Sequence, residues 1–509
     1  MPRLATSRRQ AAGCAPLPSA HTGSRYARHA PERTLLYAWV EAHYPDFIAR
    51  IEAEGRSLPG YVREAFDAYL RCGVLEHGFL RVVCEHCRAE RLVAFSCKKR
   101  GFCPSCGARR MAESARHLVE EVFGPRPVRQ WVLSFPYPLR FLFASKPEAI
   151  GPVLGIVQRV IAGWLADQAG IDRASAQCGA VTLIQRFGSA LNLNIHFHML
   201  WLDGVYVEAT ELPRRELRLH RARAPTTAQL TQLAATIAHR VCRHLTRKGW
   251  LEGEGESAFL ADSAAGDDSM DGLRMSSMTY RIATGRDAGR KVVTLQTLPG
   301  DAGSLEGDAG KVGGFSLHAG VAAEAHESHK LEKLCRYITR PAISEQRLSI
   351  SPQGRVRYQL KTPWRNGTTH VEWDAVDFIA KLAALVPPPR AHLTRFHGVF
   401  APNANLRAQL TPSGRGKRPA GDAAPVDVSA HDEPRSPEQK RRAMSWAQRL
   451  KRVFSIDVTT CAHCGGAARI VASIEEPTAI HAILAHFEKH GALEQAHYRP
   501  AARAPPSAA

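Results

Sequence analysis

Acidic residues are in short supply in this sequence. Its 48 Asp and Glu face 68 Lys and Arg, for a formal net charge of +20 and a pI near 9.7. The first 31 residues hold several arginines and no acid at all. A balance of that sign, spread along the chain and not confined to a tail, argues against a polycation as partner and points to a polyanion, most directly nucleic acid. Long apolar runs are also missing. None approaches the roughly 18–20 residues of a membrane span. The N-terminal stretch has no apolar core of the kind a secretory signal carries, so residues 1–32 read as a basic arm. The expected location is the cytoplasm, with no membrane partner. No internal repeat stands out beyond close pairs of cysteines.

Those cysteines are the first thing present. A chain of 509 residues with 12 Cys and no secretion signal is expected to use paired cysteines for metal and not for disulfides. The block CEHCRAERLVAFSCKKRGFCPSC holds the knuckles Cys84/Cys87 and Cys103/Cys106. Four thiolates from two knuckles satisfy tetrahedral Zn²⁺, and the intervening LVAFS suits the hairpin of a zinc ribbon over 80–110. Cys97 is a fifth candidate. The basic residues Lys98, Lys99, Arg100, Arg109 and Arg110 around the second knuckle suit phosphate contacts. A third knuckle, Cys461/Cys464, stands alone near the C-terminus. It is either a bare turn or a second zinc site, completed by His481 and His486 with His463 and His490 competing.

The stretch LNLNIHFHML (191–200) alternates strictly. Leu191, Leu193, Ile195, Phe197 and Met199 take one face of a strand, and Asn192, Asn194, His196 and His198 the other. Two same-side imidazoles can converge on one metal ion, and metal sites of that kind serve phosphoryl transfer. A polar strand face can also carry histidines for no chemical reason.

Around this strand the chain reads as helix over 33–71, strand over 129–135, helix over 147–170, strand over 181–187 and helix over 226–249, with Thr226 or Thr227 as N-cap. Residues 252–315 read as a loop-rich insertion with a strand pair around SMTYRIATG and KVVTLQTL. Residues 327–340 return to helix and stop at Pro341. Residues 411–440, rich in Pro, Gly, Ala and charge, read as a linker. The fold class is α+β, an antiparallel sheet with flanking helices over about 125–400. A helical and zinc-binding unit (33–120) precedes it, and a small zinc-knuckle module (441–495) follows. On the 327–340 helix, Leu331, Leu334, Cys335 and Ile338 make the apolar face. Tyr337 falls off that face among Lys330, Lys333, Arg336 and Arg340. An amphipathic boundary tyrosine is common, but cations there also suit a nucleophilic phenol and a phosphodiester held beside it.

The pair IHFH (195–198) with the downstream helix RYITRP (336–341) resembles the HUH endonuclease superfamily of rolling-circle enzymes. The likeness is greatest to transposases of the IS-ninety-one group and the related common-region elements. SCKKRGFCPSCGARR resembles that group's zinc-binding domain. FGSALNLNIHFHMLWLDGVY, FSLHAGV, KLEKLCRYITRPAIS and HLTRFHGVFAPNANLR follow in the family's order. The resemblance implies an HUH-type sheet in which His196 and His198 hold Mg²⁺ or Mn²⁺ with a third ligand, His318 in preference to Gln185. It implies that Tyr337 attacks single-stranded DNA at an element end to leave a 5′-phosphotyrosine and a free 3′-OH. Some relatives carry two tyrosines one helical turn apart. Here Lys333 and Pro341 occupy the positions four before and four after Tyr337, so a homodimer or reuse of Tyr337 is expected. The alternatives are a plasmid replication initiator or relaxase and a zinc-ribbon DNA-binding protein without catalysis.

Overall fold

The computed structural model describes residues 30–209, 216–253, 259–261, 269–297, 309–414, 459–461 and 463–490. Residues 1–29 of the expected basic arm, 415–440 of the expected linker, and 441–458 and 491–495 of the expected C-terminal module lie outside the described residues, as do 254–258, 262–268 and 298–308 of the insertion.

Strict alternation builds the centre. Strands β3 (Val128–Ser134), β4 (Gly179–Phe187) and β5 (Leu193–Leu202) pair antiparallel. They sit inside a six-stranded sheet with β11 (Ala309–Val312), β12 (Phe315–Ala323) and β16 (Thr394–Gly398), in the order β11-β12-β3-β5-β4-β16. Every neighbouring pair is antiparallel. One face carries Trp131, Leu133, Ile184, Ile195, Phe197, Met199 and Trp201 into a core with α4 (Tyr137–Ser145), α5 (Ile150–Gln168) and α6 (Thr227–Arg247). The helix at Pro147–Gln168 is long and apolar enough to cross a membrane by length and composition. That departs from the reading of the sequence as free of such runs. In the fold Val153, Val157, Ile161 and Leu165 of this helix are buried in that core.

The opposite face packs Val181, Leu183, Leu200 and Leu202 against α3 (Pro104–His117), which continues as a π-helical turn to Phe123, and against α8 (Ser328–Ile338). Arg129 at the end of this sheet makes a two-pronged ion pair with the buried Asp203, 2.8 and 2.9 Å.

A second core joins α1 (Leu35–Ala53) and α2 (Gly60–Leu70) to α9 (Ala375–Leu385) and to a four-stranded sheet, β10-β15-β14-β13, of Val293–Gln296, Thr368–Trp373, Val356–Gln359 and Leu348–Ile350. The strand pair expected within 277–298 is not formed. Asp271–Met278 is the helix α7, with Leu273, Arg274, Ser277 and Met278 buried on one helical face. Its C-terminal end is tied by the Lys381 ammonium, which donates to the carbonyls of Ser276 and Arg281 at 3.0 and 2.8 Å. Only the bridge Arg281–Lys291 remains of the expected pair, and β10 pairs with β15 instead. The third sheet is small, with β17 (Ala468–Ile474), β1 (Phe79–Cys84) and β2 (Glu90–Ala94) in that order. The two-stranded pairs β6 (Gly204–Ala209) with β7 (Glu216–Arg221) and β8 (Leu251–Glu252) with β9 (Phe259–Leu260), and the short helix α10 (Arg407–Leu410), lie outside these sheets.

Candidate functional site

His196 and His198 project from β5 onto the face that α8 crosses. Their Nε2 atoms stand 3.1 Å apart. The Nδ1 of His196 lies 3.0 Å from the carbonyl oxygen of Asn194, and the Nδ1 of His198 lies 2.8 Å from the Gln130 side-chain nitrogen. Each ring is thus held from behind, with Nε2 turned toward its neighbour. Burial holds both imidazoles below their ordinary value, His196 at about 4 and His198 at about 2, with the charge of Arg340 acting in the same direction on both. Neutral rings are the form that binds a metal. Two nitrogens each about 2.1 Å from an octahedral ion and roughly 90° apart stand about 3 Å from each other, so the pair fits a divalent cation in cis positions.

His318 does not join them. It lies on β12, and β3 intervenes between β12 and β5, with Val132 opposite both His318 and His198. Two strand spacings amount to roughly 10 Å of backbone separation. Among the described residues no set of three His, Cys, Asp or Glu ligand atoms within 4.8 Å of one another includes the histidine pair. Gln185 is nearer. It sits on β4 directly opposite His196. Its Nε2 donates to the Ile338 carbonyl at 3.1 Å, and its Oε1 is buried with no hydrogen-bond partner. The side-chain oxygen of Asn194, on the same strand face as His196, is likewise buried and unpartnered. Unpaired buried oxygens are costly, and a hard cation is one group that satisfies them.

Helix α8 brings Tyr337 to this place. Leu331, Leu334, Cys335 and Ile338 bind it to the sheet, and Tyr337 stays 41% exposed. Its ring centroid is 6.2 Å from that of His198, at right angles to it. The Arg340 guanidinium lies 4.3 Å from the Tyr337 ring centroid and 5.3 Å from that of Phe187, and the Lys361 ammonium lies 4.5 Å from that of Tyr337. Tyr337 is therefore brought to His196 and His198, which lie 141 and 139 positions before it in the chain.

The cysteines are regrouped. Cys84, Cys87, Cys103 and Cys106 do not form one ribbon site. Cys103 and Cys106 join Cys72 and Cys97, and Cys84 and Cys87 join Cys461 and Cys464. The reason is local. Cys103 directly precedes α3 and Cys106 lies in its first turn, facing the end of α2 where Cys72 sits. The Sγ contacts run 3.7 Å (Cys72–Cys106), 3.4 Å (Cys97–Cys106) and 3.8 Å (Cys72–Cys103). Sulfurs about 2.3 Å from a tetrahedral zinc stand about 3.8 Å apart. Hydrogen bonding with Cys103 holds the Cys106 thiol far below its usual value, while the same contacts push Cys103 far above it. Four sulfurs this close cannot all ionise without a cation between them. His481 and His486, expected as partners of Cys461 and Cys464, lie on α11 (Pro477–Lys489) outside that group.

A family model described as a transposase matches residues 179–407, and one described as a transposase zinc-binding domain matches 39–135. Together they span more than half of the chain. The chain is a transposase of the IS-ninety-one type. No curated protein and no solved structure matches it. The matched zinc-binding segment contains Cys72, Cys97, Cys103 and Cys106 whole, so structural zinc in the transposase has its natural place there.

The zinc-binding segment also walls a cavity that reaches Gln185 and Arg340, although His196, His198 and Tyr337 do not line it. A cavity of about 360 Å³ is lined by Lys99, Arg100 and Arg110 on one side and by Gln185, Arg340 and His392 on the other. Gly107 faces Pro341 so closely that a Cβ there would come within 2.6 Å of the proline ring. The basic residues singled out in the sequence are not all free. Lys99 pairs with Glu64 at 3.1 Å, Lys330 with Glu327 at 3.0 Å and Arg336 with Glu332 at 2.8 Å. Arg100 and Arg110 donate to the carbonyls of Ala391 and Lys98. Arg109 also has a partner. Lys98 and Lys333 are exposed.

Sequence reasoning missed Cys72, Gln130 and Lys361. Gln130 had a signal, as a lone amide inside the apolar run RQWVLSF. Cys72 and Lys361 had none, since each is a single residue far along the chain from what it touches.

Proposed function

We propose that the transposase nicks and joins single-stranded DNA at the ends of its mobile element through a tyrosine-linked intermediate. The observation that carries this reading is the 3.1 Å histidine pair with the Tyr337 ring 6.2 Å from His198. His196 and His198 hold a divalent ion, Mg²⁺ or Mn²⁺, and Gln185 Oε1 is its third protein ligand in place of His318. When bound, such an ion supplies Lewis acidity to a non-bridging phosphate oxygen. The chain's own groups do the rest. Arg340 and Lys361 hold the phosphodiester beside the Tyr337 ring. The Tyr337 oxygen bonds to phosphorus as the bond from phosphorus to the 3′ oxygen breaks. The phenolic proton leaves to solvent and the departing 3′ oxygen takes one up, giving a 5′-phosphotyrosine and a 3′-OH. The reverse attack by a 3′-OH of the target strand frees the tyrosine and joins the strands.

Tyr337→Phe and wild-type protein, incubated with labelled single-stranded element ends and Mn²⁺, test this. Wild type is expected to give a covalent adduct on a denaturing gel, with the label mapped to Tyr337. The variant is expected to bind DNA and give none. An adduct that persists in the variant, or that maps to another residue, overturns the assignment. His196→Ala is expected to lose metal-dependent nicking while retaining DNA binding.

A further inference from the structure

The second cysteine group contains ligands from both ends of the molecule. Cys84 ends β1 and Cys87 follows it in the turn. Cys461 and Cys464 form the knuckle before β17. The Sγ atoms of Cys84 and Cys464 are 3.5 Å apart, and so are those of Cys87 and Cys461, across 380 and 374 residues of chain. Backbone amides point at the sulfurs as they do in metal knuckles. The amide of Cys87 donates to Cys84 Sγ, that of His463 to Cys461 Sγ and that of Gly466 to Cys464 Sγ, each at 3.4 Å.

Two further features support the same joint. β17 pairs antiparallel with β1 from Phe79 opposite Ile474 to Cys84 opposite Ala468, with one bulge at Val471. The Glu85 amide donates to the Ala467 carbonyl at 2.8 Å. Ile480, Leu484 and Phe487 of α11 share a small core with Leu75, Phe79 and Leu92. Residues 461–464 lie outside both matched family segments.

We propose that Cys84, Cys87, Cys461 and Cys464 bind a second zinc ion, and that this ion clasps the C-terminal knuckle onto the N-terminal hairpin as one metal-stabilised unit. Four thiolates in two knuckles at these separations match tetrahedral zinc. Cys87 and Cys464 are exposed, whereas three of the four ligands of the other group are buried. The clasp therefore yields its ion to a chelator first.

Zinc content of the full chain, measured by inductively coupled plasma mass spectrometry, is expected to be two ions per chain. Cys461→Ser/Cys464→Ser is expected to hold one, and so is Cys103→Ser, each having lost a different ion. A wild-type content of one that the double variant leaves unchanged overturns the site. The clasp is tested separately by inserting a site-specific protease sequence between residues 425 and 435. After cleavage the two fragments are expected to co-elute in gel filtration with zinc present, to separate after mild chelation that removes one ion, and to rejoin when zinc alone is returned. Fragments that stay together after that ion has left overturn the clasp, since strand pairing alone would then hold them. Neither readout involves DNA cleavage, so both stand apart from the nuclease reading.

Discussion

Gln130 determines which nitrogen of His198 is free. With its amide nitrogen 2.8 Å from Nδ1, the proton of a neutral His198 sits on Nε2, where it bridges to His196 at 3.1 Å. A metal needs that Nε2 bare. Turning the Gln130 amide end over, so that its oxygen accepts from Nδ1–H, supplies the metal-binding tautomer without moving either ring. Gln130→Leu is therefore expected to weaken Mn²⁺ binding by about 10–100-fold in calorimetric titration, and Gln130→Glu to restore it. Equal affinity in all three proteins would show that Gln130 does not position the ring. Gln185→Leu removes a proposed ligand directly and is expected to weaken the same titration while His318→Ala leaves it unchanged. At this scale the sequence was readable where chemistry follows a local repeat. His196 and His198 declare themselves by strict alternation. The proposed third ligand does not, because it depends on which strands flank β5, and these are β3 and β4, with β12 one strand further away.

Elements were legible wherever one period ran uninterrupted. The strands flanking the site and helices α5, α6 and α8 fall within a few residues of their expected limits. At the start of α6, Thr226 is the N-cap, and Thr226 and Gln229 make a reciprocal capping box. Thr226→Ala is expected to cost about 1 kcal/mol, read as a lowered unfolding midpoint. Helix α7 was misread because its sequence, DGLRMSSM, combines a glycine and serines with the β-rich residues that follow. Its helical form is secured from outside by α9. There Asp377 is buried and accepts from the Ala283 amide, and burial pushes its carboxyl up to about 7. A carboxyl whose pKa rises on folding stabilises the fold most below its unfolded value and loses that contribution as pH rises through the folded one. The gain in stability from Asp377→Asn over wild type is therefore expected to grow between about pH 4 and 7 and to level off above. A pH-independent difference between the two melting curves would contradict this.

At the scale of the whole molecule, the basic residues Lys99, Arg100, Arg110 and Arg340 line one cavity between α3 and the end of α8, and Arg340 and Lys361 lie over the Tyr337 ring. Binding to single-stranded DNA is expected to fall steeply with salt. Lys98→Gln and Lys333→Gln should each lower the slope of log K against log salt by about 0.7, as measured by fluorescence anisotropy. An unchanged slope would place those lysines off the DNA path. The long-range partnership of the cysteines was the least legible feature. Spacing rules read knuckles that are close in sequence, whereas these knuckles pair by where α2, α3 and β17 end.

The position of β17 bears on how the chain is made. Cys87 is synthesised 374 residues before Cys461, a delay of roughly 20–75 s at about 5–20 residues per second. Throughout that interval β1 has β2 on one side and an open row of amides and carbonyls on the other, with Phe79 and Leu92 lacking the helix that later covers them. Open strand edges invite pairing with other chains. A translation product that stops short of residue 468 keeps that edge permanently, so truncated copies of this protein are expected to be the aggregating ones.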